Sequence, residues 1–223
     1  MCKHPQSRLT RIGTPLLALS LMALSVMGYA EQNISVVNFS EDQLSLFEEK
    51  SFVGHTDYQL LQQGQQTVLR AQTSNNASSL YRTMEVDLTK TPRLNWSWRV
   101  DNVYSIENQQ IKQGDDYPAR VYVVVRDGWL PWQVRALNYV WSNHPTQLSH
   151  WANPFTGQAI MIPLKAGSSQ LGQWHHEQVN ISDDFYRVFG ERIEKIDGVA
   201  IMTDADNAGG KATAYYGNLY FSR

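Results

Sequence analysis

The sequence predicts an all-β fold, an antiparallel β-sandwich or jelly roll with one or two short helices. Apolar and polar side chains alternate with a period of two over residues 80–88 and 94–100, as they do in a strand with one buried face. Many more short segments of this kind follow, with turn residues between them. This spacing is typical of two stacked antiparallel sheets.

The strand candidates begin with a hairpin. Residues 58–61 and 67–71 flank Gly64, which predicts two strands joined by a tight turn. The other candidate strands are 80–88, 94–100, 119–125, 137–141, 159–164, 178–181, 199–203 and 214–221.

Two segments favour helix. Residues 183–189 have a capping residue in Ser182 or Asp183 and a stop at Gly190, and residues 43–49 could form another turn or two. The polar segments 104–117 and 143–156 are predicted to be loops. Because no repeat or linker interrupts the chain, residues 31–223 are predicted to form a single domain.

Residues 1–30 have the pattern of a secretory signal peptide. Lys3, Arg8 and Arg11 precede an apolar run, and small residues allow cleavage after Ala30. The run is too short for a comfortable transmembrane helix, so no membrane span is expected after cleavage, and the alternative is an anchor that is kept. We therefore expect a periplasmic or secreted protein.

Cysteine usage and charge narrow the class of protein further. The one cysteine, Cys2, leaves with the signal peptide, so the exported chain has no disulfide and must rely on a hydrophobic core. The chain has 19 basic and 21 acidic residues. Three of the basic residues also leave, so 16 stand against 21 acidic ones in the exported part, which argues against nucleic acid as a partner.

Several separated segments together resemble one family. They are Trp96-Ser-Trp98-Arg-Val, Asp115-Asp116-Tyr-Pro-Ala119-Arg120, Asn138-Tyr-Val-Trp141, Asn153-Pro154-Phe, Phe189-Gly190-Glu191, and Asp204-Ala-Asp206-Asn207 followed by Ala214-Tyr-Tyr216-Gly217. In this order they are similar to the DUF3047 family of exported bacterial proteins. The resemblance implies a protein of unknown function with a jelly roll similar to carbohydrate-binding modules or galactose-binding domains, and it brings no established catalytic residues. Asn218 stands where the resemblance leads us to expect an acidic residue, so a ligand that needs a charge there would bind less well.

The segment from Asp204 to Asn207 offers the oxygen ligands that calcium prefers. It is not an EF-hand, because Tyr215 stands where that loop needs a bidentate glutamate. A structural calcium ion held by Asp204 and Asp206 is the one cofactor considered. The alternative is an Asx-rich turn whose side chains cap loop amides.

Asp115 and Asp116 precede a candidate strand that contains Arg120. Carboxylates at the end of a strand could bind sugar hydroxyls or act as an acid or base. The alternative is an ion pair, because Arg120 shares a strand face with Tyr122 and Val124 and a charge there needs a partner.

In a regular strand Glu177 would lie on the same face as Val179 and Ile181, so its side chain would point inward. A buried carboxylate has the raised pKa that a general acid needs, and His175 or His176 could assist it. The alternative is an exposed or ion-paired side chain. The adjacent histidines lack a third ligand at zinc spacing.

Tryptophan is frequent, with seven residues in the chain. Trp96 and Trp98 alternate with polar residues and are predicted to lie in the core. Trp129, Trp132 and Trp151 lie in predicted loops and could stack on sugar rings. The alternative is that they close one end of the sandwich.

These patterns favour the non-catalytic binding of a glycan or another cell-envelope component. The predicted contacts are stacking by the three loop tryptophans and polar contacts from Asp115, Asp116, Arg120, Asp204, Asp206 and Asn207. The first alternative is a glycoside hydrolase or lyase that uses Glu177 with Asp115, Asp116 or Asp204. The second is a structural envelope protein that acts through protein contacts.

Overall fold

The computed structural model describes residues 1–2, 33–41, 43–130 and 133–223. The predicted signal peptide, residues 1–30, lies outside the described residues except for Met1 and Cys2, and it stays a prediction. The segment Glu31–Arg223 forms one compact unit. No helix in the described part of the chain has the length and apolar character needed to cross a membrane.

Sheet 1 has seven strands, and one of them has three neighbours. Its order is β1 (Ile34–Val37), β14 (Leu219–Ser222), β6 (Arg93–Val100), β13 (Lys211–Tyr216), β4 (Gln66–Ser74) and β3 (Asp57–Gln63), and β11 (His175–Asn180) also pairs with β6. Strands β14 and β13 pair with opposite ends of β6, so one edge of that strand is shared end to end.

Sheet 2 also has seven strands. Its order is β2 (Glu48–Val53), β5 (Ala77–Asp87), β12 (Lys195–Asp204), β7 (Ala119–Arg126), β8 (Val134–Ser142), β10 (Thr156–Ala166) and β9 (Trp151–Asn153). All neighbours are antiparallel except β8 and β10, which are parallel. The connection after β8 and the short strand β9 carry the chain back along the sheet, so β10 starts at the same end as β8.

The predicted β-sandwich is confirmed, and its core lies between the two sheets. Trp96 and Trp98 lie edge to face with ring centroids 5.4 Å apart, and Trp98 contacts Trp141 of sheet 2 at 6.0 Å. Trp96 and Trp98 are at most 2% exposed, so the prediction that they lie in the core is confirmed. Aromatic side chains of this size bury the most apolar surface per residue and dominate the stability of such a core.

Helix α1 (Ile181–Phe189) begins earlier than predicted. Its N-cap is Asn180, whose side-chain oxygen accepts the backbone N–H of Asp183 at 3.3 Å. The predicted caps, Ser182 and Asp183, are therefore wrong, because burial of Ile181 extends the helix toward its N-terminus. The predicted stop at Gly190 is confirmed, since that residue adopts a left-handed conformation with φ 74°.

Three of the observed strands were not predicted, and one predicted strand is divided into two separate strands. Residues 43–49 form only a short 3₁₀ turn, Gln43–Leu46, before β2 begins at Glu48. The predicted strand 214–221 divides at Gly217 and Asn218 into β13 and β14. The unpredicted strands are β1, β2 and β9.

Candidate functional site

The long segments 104–117 and 143–156 cover one end of the outer face of sheet 2. A second small core lies under them, made of Tyr117, Val140, Trp151 and Met161. Trp151 pairs in register with Met161 and is 7% exposed. Its indole lies against Tyr117, so the prediction of a stacking platform at Trp151 is wrong.

Arg120 lies beneath the same segments and is held by an ion pair. Its Nε donates to Asp204 Oδ1 at 2.7 Å, and a second N–H contacts Oδ2 of the same carboxylate. The backbone oxygen of Asp115 accepts from the guanidinium, and the Asp115 carboxylate lies 3.6 Å from it. Arg120 is 3% exposed, so these groups stabilise a buried charge and do not present it to a ligand.

Asp116 shapes the turn after β12. Its carboxylate accepts the backbone N–H groups of Asn207 at 3.0 Å, Ala208 at 2.6 Å and Gly209 at 3.3 Å. The loop amides are therefore capped, as in the alternative to a calcium loop given above, but by Asp116 from a distant segment and not by the turn's own side chains. The predicted ligand contacts from Asp115, Asp116, Arg120 and Asp204 are therefore wrong, because all four side chains are buried; Asp206 and Asn207 are partly exposed.

The predicted calcium site gains one further oxygen donor. Carboxylate oxygens of Asp116, Asp204 and Asp206 lie within 4.8 Å of one another, a donor set that suits a hard cation. Calcium there stays a prediction, since Arg120 and the loop amides already occupy two of the carboxylates.

We expect calcium to raise the unfolding temperature and Asp206→Asn to remove that rise. Equal unfolding temperatures in calcium and in EDTA would exclude the site.

Burial raises the pKa of Asp204 to about 8, with Asp116 and Asp115 adding to the rise and Arg120 opposing it. The folded state therefore binds a proton more tightly than the unfolded chain does. Stability from this group is complete below about pH 4 and is lost as the pH rises toward 8.

We expect the free energy of unfolding to fall between pH 5 and 8, by at most about 1.4 kcal/mol per pH unit from this one group. Urea unfolding at each pH measures the slope. In Asp204→Asn the slope should flatten; an unchanged slope would assign the pH dependence to other groups.

Glu177 lies on β11 of sheet 1, whereas Asp204 lies on β12 of sheet 2 and Asp115 and Asp116 lie in the segment before β7. It faces inward, where its carboxylate accepts the indole N–H of Trp98 at 3.0 Å and lies 3.6 Å from Lys165 Nζ. The ion-paired alternative for Glu177 therefore describes its geometry. The structure does not bring Glu177 together with Asp115, Asp116 or Asp204, as the predicted hydrolase or lyase would require.

The rest of the outer face of sheet 2 forms an aromatic groove of about 340 Å³. Its lining comes from strands β2, β5, β12, β7 and β8. The lining residues are Lys50, Phe52, Ser79, Tyr81, Tyr122, Val124, Arg126, Val134, Asp197, Ala200 and Met202.

Ala200 and Met202 of β12 make the floor of the groove, and tyrosines flank it. Ala200 pairs with Tyr81 on one side and Tyr122 on the other, so the three residues form one row across the sheet. The hydroxyl of Tyr122 contacts the sulfur of Met202 at 3.1 Å. The groove therefore has one phenol ring on each side of β12.

Gly198 fixes the position of the Tyr81 ring. A Cβ at Gly198 would lie 2.3 Å from the Tyr81 hydroxyl and 2.6–2.7 Å from its ring carbons. We expect Gly198→Ala to displace this ring and to weaken ligand binding by about tenfold, or about 1.4 kcal/mol. Titration calorimetry measures the loss, and Gly157→Ala, where a Cβ meets no atom within 4 Å, is the control. Equal affinities would show that Tyr81 does not contact the ligand.

The start of the loop after β7, residues 127–130, exposes Trp129. Arg126 and Val134, which line the groove, flank this loop. Arg135 holds its base through two hydrogen bonds to Asp127, at 2.5 and 2.7 Å. Trp129 is 88% exposed, as a stacking platform must be. Its predicted role stays a prediction, and Trp132 lies outside the described residues.

A second concavity lies on the outer face of sheet 1, where β13 and β14 separate. This polar cleft of about 460 Å³ is lined by Asn95, His176, Gln178, Asn218, Tyr220 and their neighbours. Its amides already have partners: Gln178 donates to Asn95 at 2.8 Å, Asn95 donates to Ser222 at 3.0 Å, and Asn218 accepts the backbone N–H of Phe39 at 2.9 Å. With these groups satisfied, the cleft has less to offer a ligand than the aromatic groove.

The sequence interpretation did not identify the groove. The alternation over residues 80–88 puts Tyr81 on the strand face opposite Leu80 and Met84, and this is the indication that the sequence contains. The row of Tyr81, Ala200 and Tyr122 depends on the pairing of β5, β12 and β7, and strand order was not predicted.

Comparisons with solved structures found similar folds at low sequence identity. A family 11 carbohydrate-binding module from Clostridium thermocellum, in complex with a β-1,3-1,4-mixed-linked tetrasaccharide, is 11% identical over 86% of this chain and 96% of that one, with a TM-score of 0.47. TmCBM61 in complex with β-1,4-galactotriose is 12% identical over 83% and 94%, with a TM-score of 0.40. Endoglucanase 3 of family GH12 from Trichoderma harzianum is 8% identical over 79% and 98%, with a TM-score of 0.41.

A sequence search of curated proteins found no match. The family model described as "Protein of unknown function (DUF3047)" matches residues 45–220. Since this match covers most of the chain and agrees with the motifs noted in the sequence, the protein belongs to the DUF3047 family.

Proposed function

We propose that this protein binds a glycan in the aromatic groove of sheet 2 without catalysing a reaction on it. The observation that carries the proposal is the row of Tyr81, Ala200 and Tyr122, which places a phenol ring on each side of the small Ala200 side chain in the groove lining. As the sequence pattern predicts a signal peptide, we place this binding in the periplasm or outside the cell.

The chemistry of the groove suits a sugar chain. A sugar ring has apolar C–H faces that stack on aromatic planes and hydroxyls at its rim that need polar partners. Tyr81 and Tyr122 supply the planes. Ser79, Lys50 and Arg126 supply hydrogen-bond donors around them.

The carboxylates favour binding over hydrolysis. A glycosidase places two carboxyl groups about 5 to 10 Å apart across the sugar chain. Asp197 is the one carboxylate among the described residues that line the groove, and it accepts the backbone N–H of Arg126 at 2.7 Å. A single engaged carboxylate does not supply the acid and the base that this reaction needs.

A glycan array probed with residues 31–223 tests the proposal. We expect Tyr122→Ala and Trp129→Ala each to weaken the best-bound glycan by about tenfold or more, the range for aromatic anchors in a binding site. Tyr220→Ala, which removes a ring 38% exposed on the opposite sheet, should leave binding unchanged.

Three other results would count against the proposal. Binding lost only in Tyr220→Ala would move the site to the polar cleft. Turnover of a bound polysaccharide would make the protein an enzyme. Capture of envelope proteins with no glycan binding would favour the structural alternative.

A further inference from the structure

The aromatic groove carries an excess of positive charge on a protein that is acidic overall. Three charged residues line it: Lys50, Arg126 and Asp197. Over the whole chain the 21 acidic residues outnumber the 19 basic ones. The sign of the local charge is therefore opposite to that of the chain.

Neither cation in the groove has a carboxylate partner within the described part of the chain. Arg135, by contrast, binds Asp127 and Glu191, and Arg187 binds Asp184. Lys50 instead lies over the Phe52 ring at 5.3 Å. Asp197 is turned to the backbone N–H of Arg126, so it leaves the guanidinium of that residue available.

The two cations lie far apart on the sheet. Lys50 is on β2 and Arg126 is on β7, with β5 and β12 between them. Three strand spacings separate their backbones by at least about 14 Å. A ligand that contacts both must extend across the groove and carry negative charge at more than one point.

We infer that the groove selects an anionic glycan, a polysaccharide chain that bears repeated carboxylate or other acidic groups. This inference rests on the proposed function and names the class of glycan. The tyrosines hold the sugar rings, and Lys50 and Arg126 bind the acidic substituents. The guanidinium of Arg126 can accept a carboxylate through two parallel hydrogen bonds, while Lys50 acts as a point charge.

The test compares polymers that differ in charge and share a backbone. Polygalacturonate is compared with its carboxyl-reduced form, and dextran sulfate with dextran, by titration calorimetry on residues 31–223 at low salt. We expect at least one acidic polymer to bind about tenfold or more tightly than its neutral partner, and 0.5 M salt to remove that preference, because salt screens exposed charges. The pair that responds tells carboxylate from sulfate recognition.

Variants assign the preference to the two cations. Lys50→Gln with Arg126→Gln should abolish the preference, because it weakens binding of the acidic polymer much more than binding of the neutral one. The control is Lys211→Gln with Arg93→Gln, which removes the same charges from sheet 1 and should keep the preference.

The outcomes separate the inference from the proposed function. Equal binding of acidic and neutral partners, or a preference that the sheet 1 variant removes instead, would overturn the inference and leave glycan binding in place. Absence of binding to either kind of polymer, together with no binding on the array, would overturn both.

Discussion

Replacement of Arg120 by methionine is expected to lower the free energy of unfolding by about 3–5 kcal/mol, the usual cost of leaving buried charges without their partner. Arg120 and Asp204 are 3% and 1% exposed, and Asp115 and Asp116 lie beside them. Without the guanidinium, these carboxylates must either stay charged in an apolar region or take up protons. Urea unfolding at pH 9, above the pKa of Asp204 so that its carboxylate is charged, measures the loss.

Arg126→Met is the matched control, because Arg126 lies on the same face of the same strand but is exposed. Its expected effect is within about 0.5 kcal/mol, as for an ordinary surface site. A second variant, Arg120→Met with Asp204→Leu, removes both partners and should recover part of the loss. If Arg120→Met is as stable as the unchanged protein, the buried ion pair does not hold the two long segments on sheet 2.

Ala200→Phe is expected to reduce glycan affinity more than about 100-fold, or about 2.7 kcal/mol. Ala200 lies on the groove floor between Tyr81 and Tyr122, so a phenyl ring there occupies the space assigned to a sugar. The fold should survive, since Ala200 lines the groove on the outer face of sheet 2 and the core between the sheets is left untouched.

Ala152→Phe on the exposed side of β9 is the control for added apolar surface. It should bind as the unchanged protein does. Thermal unfolding of Ala200→Phe distinguishes a blocked groove from a lost fold, and Tyr122→Ala tests the same site by removing atoms. Full affinity in Ala200→Phe would place the ligand elsewhere.

The alternation of apolar and polar residues predicted the β-sandwich because a strand with one buried face buries every second side chain. Leu94, Trp96, Trp98 and Val100 are all buried, as their alternation with polar residues requires. The same argument fails for β2, whose six residues are all exposed at a sheet edge. It also fails for β9, where only Trp151 is buried and three residues are too few to show a period.

The candidate site was harder to predict because its residues meet only through strand order. Asp115, Asp116 and Asp204 are acidic residues near predicted strand ends, which suggested ligand contacts. In the folded protein their carboxylates instead contact Arg120 or loop amides. Trp151 is buried because β9 pairs with β10, a pairing that no local pattern indicates. The groove is lined by residue types with no binding signature in the sequence, such as Ala200. Its place in the groove follows only from the pairing that puts it between Tyr81 and Tyr122.

Amide chemical shifts, followed as a glycan from the array is titrated into residues 31–223, test most directly where the ligand binds. Residues of the sheet 2 groove should move in a saturable way, chiefly Tyr81, Tyr122 and Ala200. Shifts confined to Asn95, His176 and Gln178 of sheet 1 would contradict the account and assign the ligand to the polar cleft.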